Sequence, residues 1–133
     1  MKLVLAVEGL HALFSKRVES SLSPHGISFT ELLVMHQLNR TPLKTMRRID
    51  LAASIGLTAS GVTRLLKPME KIGLVEKEMN ARDARVSLVK LASGGQTIYD
   101  EAFASSEQCA KSLSESLSRT QLTELLGLIE TLK

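Results

Sequence analysis

The chain has 133 residues, 44% hydrophobic and 23% charged, which is the size and composition of one folded domain and not of a disordered segment. A single cysteine excludes an internal disulfide framework and a cysteine-only metal cage, and four aromatic residues (Phe14, Phe29, Tyr99, Phe103) argue against an RNA-recognition sheet that stacks bases on rings. The net charge is a modest +3, no apolar run reaches the roughly 18–20 residues of a membrane span, and the cysteine usage fits a reducing cytoplasm.

Leu3, Val7, Leu10, Phe14 and Val18 recur at three- and four-residue steps, which predicts a helix over residues 3–22. Glu8 interrupts its apolar start and no small-residue cleavage site follows, so the segment reads as mature helix and not as a signal peptide. Ser23-Pro24-His25-Gly26 breaks it. Ser28-Phe29-Thr30-Glu31 forms a capping box with Ile27 and Leu32 as its hydrophobic staple. The helix it opens carries Leu32, Leu33, Met35 and Leu38 to about Arg40, where Thr41-Pro42 ends it.

Met46, Ile49, Leu51, Ala52 and Ile55 then suit a short helix opened by Arg47 and Arg48 and stopped by Gly56. Thr58 is the expected N-cap of a helix from about Ala59 to Ile72, with Val62, Leu65, Leu66, Met69 and Ile72 on its inner face. Helix, glycine turn, helix is a helix-turn-helix. Thr30 and Thr45 are read as caps. Beyond Gly73 the period changes: residues 74–78 and 85–91 are strand candidates, joined by a polar segment holding Asn80, Arg82 and Asp83. Two short strands closed by a charged loop make a wing. Gly94-Gly95 precedes a helix from about Gln96 to Leu117. Ser118-Arg119-Thr120-Gln121 is another capping box, with Leu117 and Leu122 as its staple, opening a last helix to about Leu132.

The expected fold is therefore mainly α with a small β-hairpin, in one domain over residues 1–133. Residues 28–91 form the winged helix-turn-helix lobe, flanked by helical segments 1–27 and 92–133. The end helices are amphipathic and have no place inside a small winged domain. A two-fold homodimer would cover their apolar stripes and present two reading heads with matching symmetry.

Charge distribution adds a direction. From Arg40 to Lys90 there are eleven basic and five acidic residues, a local +6 that leaves −3 for the two flanks. A basic middle between acidic ends is the footprint of a surface made for a polyanion.

The order of elements and the wing residues resemble the MarR family of winged helix-turn-helix regulators over nearly the whole chain. The resemblance is carried by Gly73-Leu74-Val75-Glu76-Lys77, Arg82-Asp83-Ala84-Arg85, Val89-Lys90-Leu91 and Gly94-Gly95, with Gly56-Leu57-Thr58 and Val62-Thr63-Arg64 at the recognition-helix entry. It departs from the family's Asp-x-Arg-Asp-x-Arg wing motif at Asn80, where the first Asp is expected, and has Ala92 where a Thr is frequent. The resemblance implies a homodimeric DNA-binding repressor or activator, often responsive to a small ligand or an oxidant.

At 100° per residue, Ser60, Thr63, Arg64, Lys67 and Lys71 fall on or near the face opposite the apolar one. Ser60, Thr63 and Arg64 lie in the half that enters a major groove, and Arg64 can bond guanine bidentately. Lys67 and Lys71 lie further along and suit phosphate. Gly61 either permits close approach to DNA or is tolerated. Pro68 either lifts the last helical turn off the groove or is a tolerated kink. Arg82 at the wing tip suits a narrow minor groove. Asp83 can bond backbone donors or a nearby Arg and so shape the wing, while Arg85 can meet phosphate or pair with Asp83. Arg47 and Arg48 can touch phosphates or stay solvated.

Cys109 has no cation on its own helical face, so it reads as a small apolar residue and not a redox sensor. His11, His25 and His36 lack metal-ligand spacing. There is no Ser-His-Asp order, Walker loop or glycine-rich dinucleotide turn, so neither an enzyme nor a cofactor is expected. The sequence thus points to a non-enzymatic regulator, read as a repressor that binds a pseudopalindromic duplex as a homodimer and is released by a small ligand. The rival is a winged-helix module that binds a protein partner and has lost DNA reading.

Overall fold

The computed structural model describes residues 1–133. Nine elements follow one another: α1 (Lys2–Leu22), α2 (Phe29–Asn39), β1 (Thr45–Arg47), α3 (Arg48–Ser54), α4 (Ala59–Lys71), β2 (Val75–Met79), β3 (Ser87–Leu91), α5 (Ser93–Leu113) and α6 (Arg119–Thr131). Short 3-10 turns at Ser23–His25 and Pro42–Lys44 bracket α2. No single helix is long and apolar enough to cross a membrane.

The sheet has three antiparallel strands in the order β1-β3-β2, where the sequence predicts only the β2–β3 hairpin. Thr45 is therefore a strand residue and not a cap, and Met46 pairs with Val89 instead of opening a helix. A three-residue strand has no readable alternation. It exists because β3 offers it a row of unpaired backbone groups.

Helix ends follow their local chemistry. Ser28 accepts from the Glu31 N–H at 3.1 Å, but the box is not reciprocal. The Phe29 N–H instead donates to Glu19 Oε2 of α1 at 2.7 Å. Ser118 and Gln121 do complete a reciprocal box at α6. Between α3 and α4 the axes turn through 104°, with Gly56 at φ 71° in the left-handed conformation that spares a side chain. Helix α5 begins three residues earlier than expected, so Gly94 and Gly95 lie in its first turn, and it ends at Leu113.

One core of 18 residues joins Val18 and Leu22 of α1 to α2, α3, α4, the sheet and the Tyr99–Ala102 stretch of α5. The staple pair Ile27 and Leu32 is inside it. Ile72, expected on the inner face of α4, is 65% exposed because the helix has already ended there; Leu66 is fully buried. Leu3, Val7 and Leu10 of α1, Leu126 and Leu128 of α6 and Leu132 just past its end stand exposed, and α6 buries no residue at all.

Candidate nucleic-acid interface

Thr58 caps α4 by accepting from the Gly61 N–H at 3.0 Å. A Cβ on Gly61 would sit 3.1 Å from that same Thr58 hydroxyl, so the glycine keeps the cap tight. Val62, Leu66 and Met69 bury one side of α4 in the core. Ser60, Thr63, Arg64, Lys67 and Lys71 are all exposed. Two of the hydroxyls have internal partners: Thr63 donates to the Ala59 carbonyl at 3.0 Å, and Ser60 lies 3.3 Å from the Thr58 hydroxyl. Arg64, Lys67 and Lys71 enter no ion pair, so three cations project from one helix with no protein carboxylate to neutralise them. Pro68 lies inside α4 without ending it.

The wing loop is built from its own polar side chains. Asn80 Oδ1 accepts from the Arg82 N–H at 2.9 Å and the Asp83 N–H at 3.3 Å. Asp83 Oδ1 accepts from the Arg85 N–H at 3.0 Å and from Arg85 Nε at 3.1 Å, while Oδ2 accepts from Arg85 Nη2 at 3.3 Å. The Arg85 guanidinium, then its backbone N–H, hold the Asp83 carboxyl below the usual carboxylate range. Arg82 is exposed at the tip and unpaired.

A groove of about 360 Å³ runs between the start of α3, the first half of α4 and the base of the wing. It is lined by Arg47, Thr63 and Arg85 together with Ile49, Val62 and Val86. Arg47 is held by Asp50, with Nε to Oδ2 at 2.8 Å and Nη2 to Oδ1 at 3.1 Å. The predicted residues thus divide. Arg64, Lys67, Lys71 and Arg82 are free cations, Arg47 and Arg85 are tethered ones, and Asp83 is the wing's internal acceptor.

Residues 25–86 match the MarR family, and that segment contains the helix pair and the wing loop. Over that segment the chain is similar to the MarR family. Solved structures of the same fold include a cysteine-to-serine mutant of MarR from E. coli complexed with operator DNA, 20% identical with a TM-score of 0.90 over 99% of this chain and 94% of that one. A MarR family transcriptional regulator from Rhodococcus sp. RHA1 is 18% identical with a TM-score of 0.91 over 98% and 91%. A third, from Streptomyces coelicolor in complex with DNA, is 18% identical with a TM-score of 0.88 over 98% and 84%.

Asn80 stands where the resemblance expects an acid, and its own bonds shape the wing turn. Its amide oxygen receives two backbone donors, which holds the turn without a charge.

Arg48 is a correction. It does not stand free for phosphate: its Nη2 bonds Glu70 Oε1, with the two side chains only 14% and 20% exposed, and Lys77 of β2 reaches the other Glu70 oxygen at 4.0 Å. This cluster ties α3, α4 and the wing together. Sequence reasoning missed it because partners 22 residues apart share no local spacing.

A second cavity of about 300 Å³ lies between α1, α2 and α5, lined by Val18, Phe29, Leu33, His36, Phe103 and Glu107 among others. His36 Nδ1 is 2.9 Å from the Tyr99 hydroxyl, and its ring stacks on Phe103 with centroids 5.6 Å apart. Burial, then the Arg40 charge, lower the His36 pKa from the ordinary 6.5. The folded state therefore binds this proton less readily than the unfolded chain. Its contribution to stability is complete above 6.5 and is lost as pH falls below that value toward the lowered one. Urea melts at pH about 7.5 and 5.5 should show this loss, and His36→Gln should flatten it. An equal loss in the variant would assign the pH effect to other groups.

Proposed function

We propose that this protein is a sequence-specific DNA-binding transcriptional regulator that binds a pseudopalindromic duplex as a homodimer and represses by occupying it. The carrying observation is the exposed face of α4, where Arg64, Lys67 and Lys71 lack carboxylate partners while Arg82 extends unpaired from the wing. Operator DNA in the related E. coli MarR structure and DNA in the Streptomyces coelicolor one support the same reading. In this reading α4 enters the major groove, the wing meets the flanking minor groove, and residues 28–91 form the reading lobe.

The test is the salt dependence of duplex binding. Log affinity should fall linearly with log salt, and Lys67→Ala or Lys71→Ala should each shrink the slope by about 0.9 per protomer while weakening all sequences alike. Unchanged slopes in both variants would remove the lysines from the phosphate backbone. Absence of any salt-sensitive duplex binding would leave the protein-partner reading instead.

Segments 1–27 and 92–133 serve as the dimer module in this proposal. The exposed leucines of α1 and α6 form the apolar surface a second copy would cover. Deleting Gly127–Lys133 removes Leu128, Ile129 and Leu132, and light scattering after size exclusion should then show monomer or aggregate. A well-behaved dimer after truncation would place the interface elsewhere.

The cavity beside His36 and Phe103 supports release by a small ligand, since it lies between the reading lobe and α5. A ligand that lowers duplex affinity should lose that effect when Leu33→Trp fills the cavity. Retention of the effect would place the effector elsewhere.

A further inference from the structure

The first turn of α5 seats, through bare backbone, on the turn that joins the recognition helix α4 to β2. A Cβ on Gly95 would lie 1.9 Å from the Leu74 carbonyl oxygen and 3.0 Å from Leu91 Cδ1, and one on Gly94 would lie 3.2 Å from the Gly73 carbonyl oxygen. The Ala92 N–H donates to the same Leu74 carbonyl at 3.1 Å. Leu74 in turn donates to Met69 at 3.0 Å and Gly73 to Glu70 at 3.2 Å, closing the last turn of α4. The helix that would dimerise thus packs directly on the turn that closes the helix that would read.

Two more ties hold the start of α5 to the lobe. Lys44 Nζ bonds Gln96 Oε1 from the turn before β1. Tyr99 and Phe103 engage His36 of α2, the latter pair with ring planes 3° apart. The first three turns of α5 are thus clamped at three points. The seat at Gly95 is the one that no side chain can occupy.

We propose that Gly95, assisted by Gly94, is a positioning residue for DNA recognition. By letting α5 rest on the Leu74 carbonyl, it sets the angle between the dimer module and the recognition helix, and hence the half-site spacing the dimer accepts. This rests on the dimeric DNA-binding reading above. The lever is long. Moving a Cβ from 1.9 Å to an ordinary 3.4 Å contact separates the seat by ~1.5 Å. Across a baseline of ~9 Å, six residues of helix, that is a tilt of ~10°, which carries the far end of α5, ~18 Å beyond that pivot, by ~3 Å. One base-pair step is about 3.4 Å.

The experiment compares wild type, Gly94→Ala and Gly95→Ala on duplexes that hold the same two half-sites with one base pair inserted or removed between them. In Gly95→Ala the affinity ratio between adjacent spacings should change by about tenfold or more, and in Gly94→Ala by about threefold, with base preference inside each half-site and dimer mass unchanged. If Gly95→Ala does not fold, the ratio in Gly94→Ala decides. A folded Gly94→Ala or Gly95→Ala that weakens every spacing equally, or none, makes these glycines packing residues only and overturns the proposal. Wild-type protein that binds no duplex overturns the underlying DNA-binding reading, a result distinct from either.

Discussion

Arg48→Ala should destabilise the protein by about 2–3 kcal/mol, at or just below the ~3–5 kcal/mol that removing one partner of a fully buried ion pair costs. The pair with Glu70 is only partly dry, at 14% and 20% side-chain exposure, which is why the upper end is not expected. Most of the loss comes from the carboxylate left behind, held among α3, α4 and β2 with only the distant Lys77 at 4.0 Å to answer it. Replacing both partners, as in Arg48→Met with Glu70→Leu, should recover most of the loss, because the desolvation cost disappears with the charges. Urea and thermal denaturation of the two single variants and the double variant give the coupling directly. A single variant within about 0.5 kcal/mol of wild type would show that the cluster is an ordinary surface network.

Arg64→Ala and Arg82→Ala should fail in different ways. Arg64 lies on the exposed face of α4 in its first half, free of any internal partner, so on the proposed DNA-binding reading its loss should remove a base contact worth about 1–3 kcal/mol of discrimination and relax preference at one position per half-site. Arg82 stands at the tip of a loop whose shape is kept by Asn80 and Asp83, so its loss leaves the wing intact and, on the proposed DNA-binding reading, removes one cation from the minor groove. Sites flanked by A·T pairs should weaken more than those flanked by G·C pairs. Both variants should keep wild-type helicity and size, because neither side chain supports the core. Binding across a panel of operator variants at one salt concentration separates the cases. If both bind the whole panel as wild type does, base reading by this face is wrong.

The sequence by itself determined whatever depends on neighbours within about four residues. The period of Val62, Leu66 and Met69 orients α4, Thr58 and Ser118 cap their helices, Gly56 marks the turn, and Arg82 sits at the wing tip with Asp83 two residues from Arg85. Capping bonds, helical faces and tight turns are short-range, so their partners can be counted along the chain. Only the tertiary structure decided the rest. It made Thr45–Arg47 a strand, because a three-residue strand takes its conformation from β3 and not from its own pattern. It turned Arg48 inward to Glu70, joined His36 to Tyr99 across 63 residues, and set Gly95 against Leu74. Those contacts arise where distant segments share one surface of the core, and the geometry of that surface is a property of all the packed elements together.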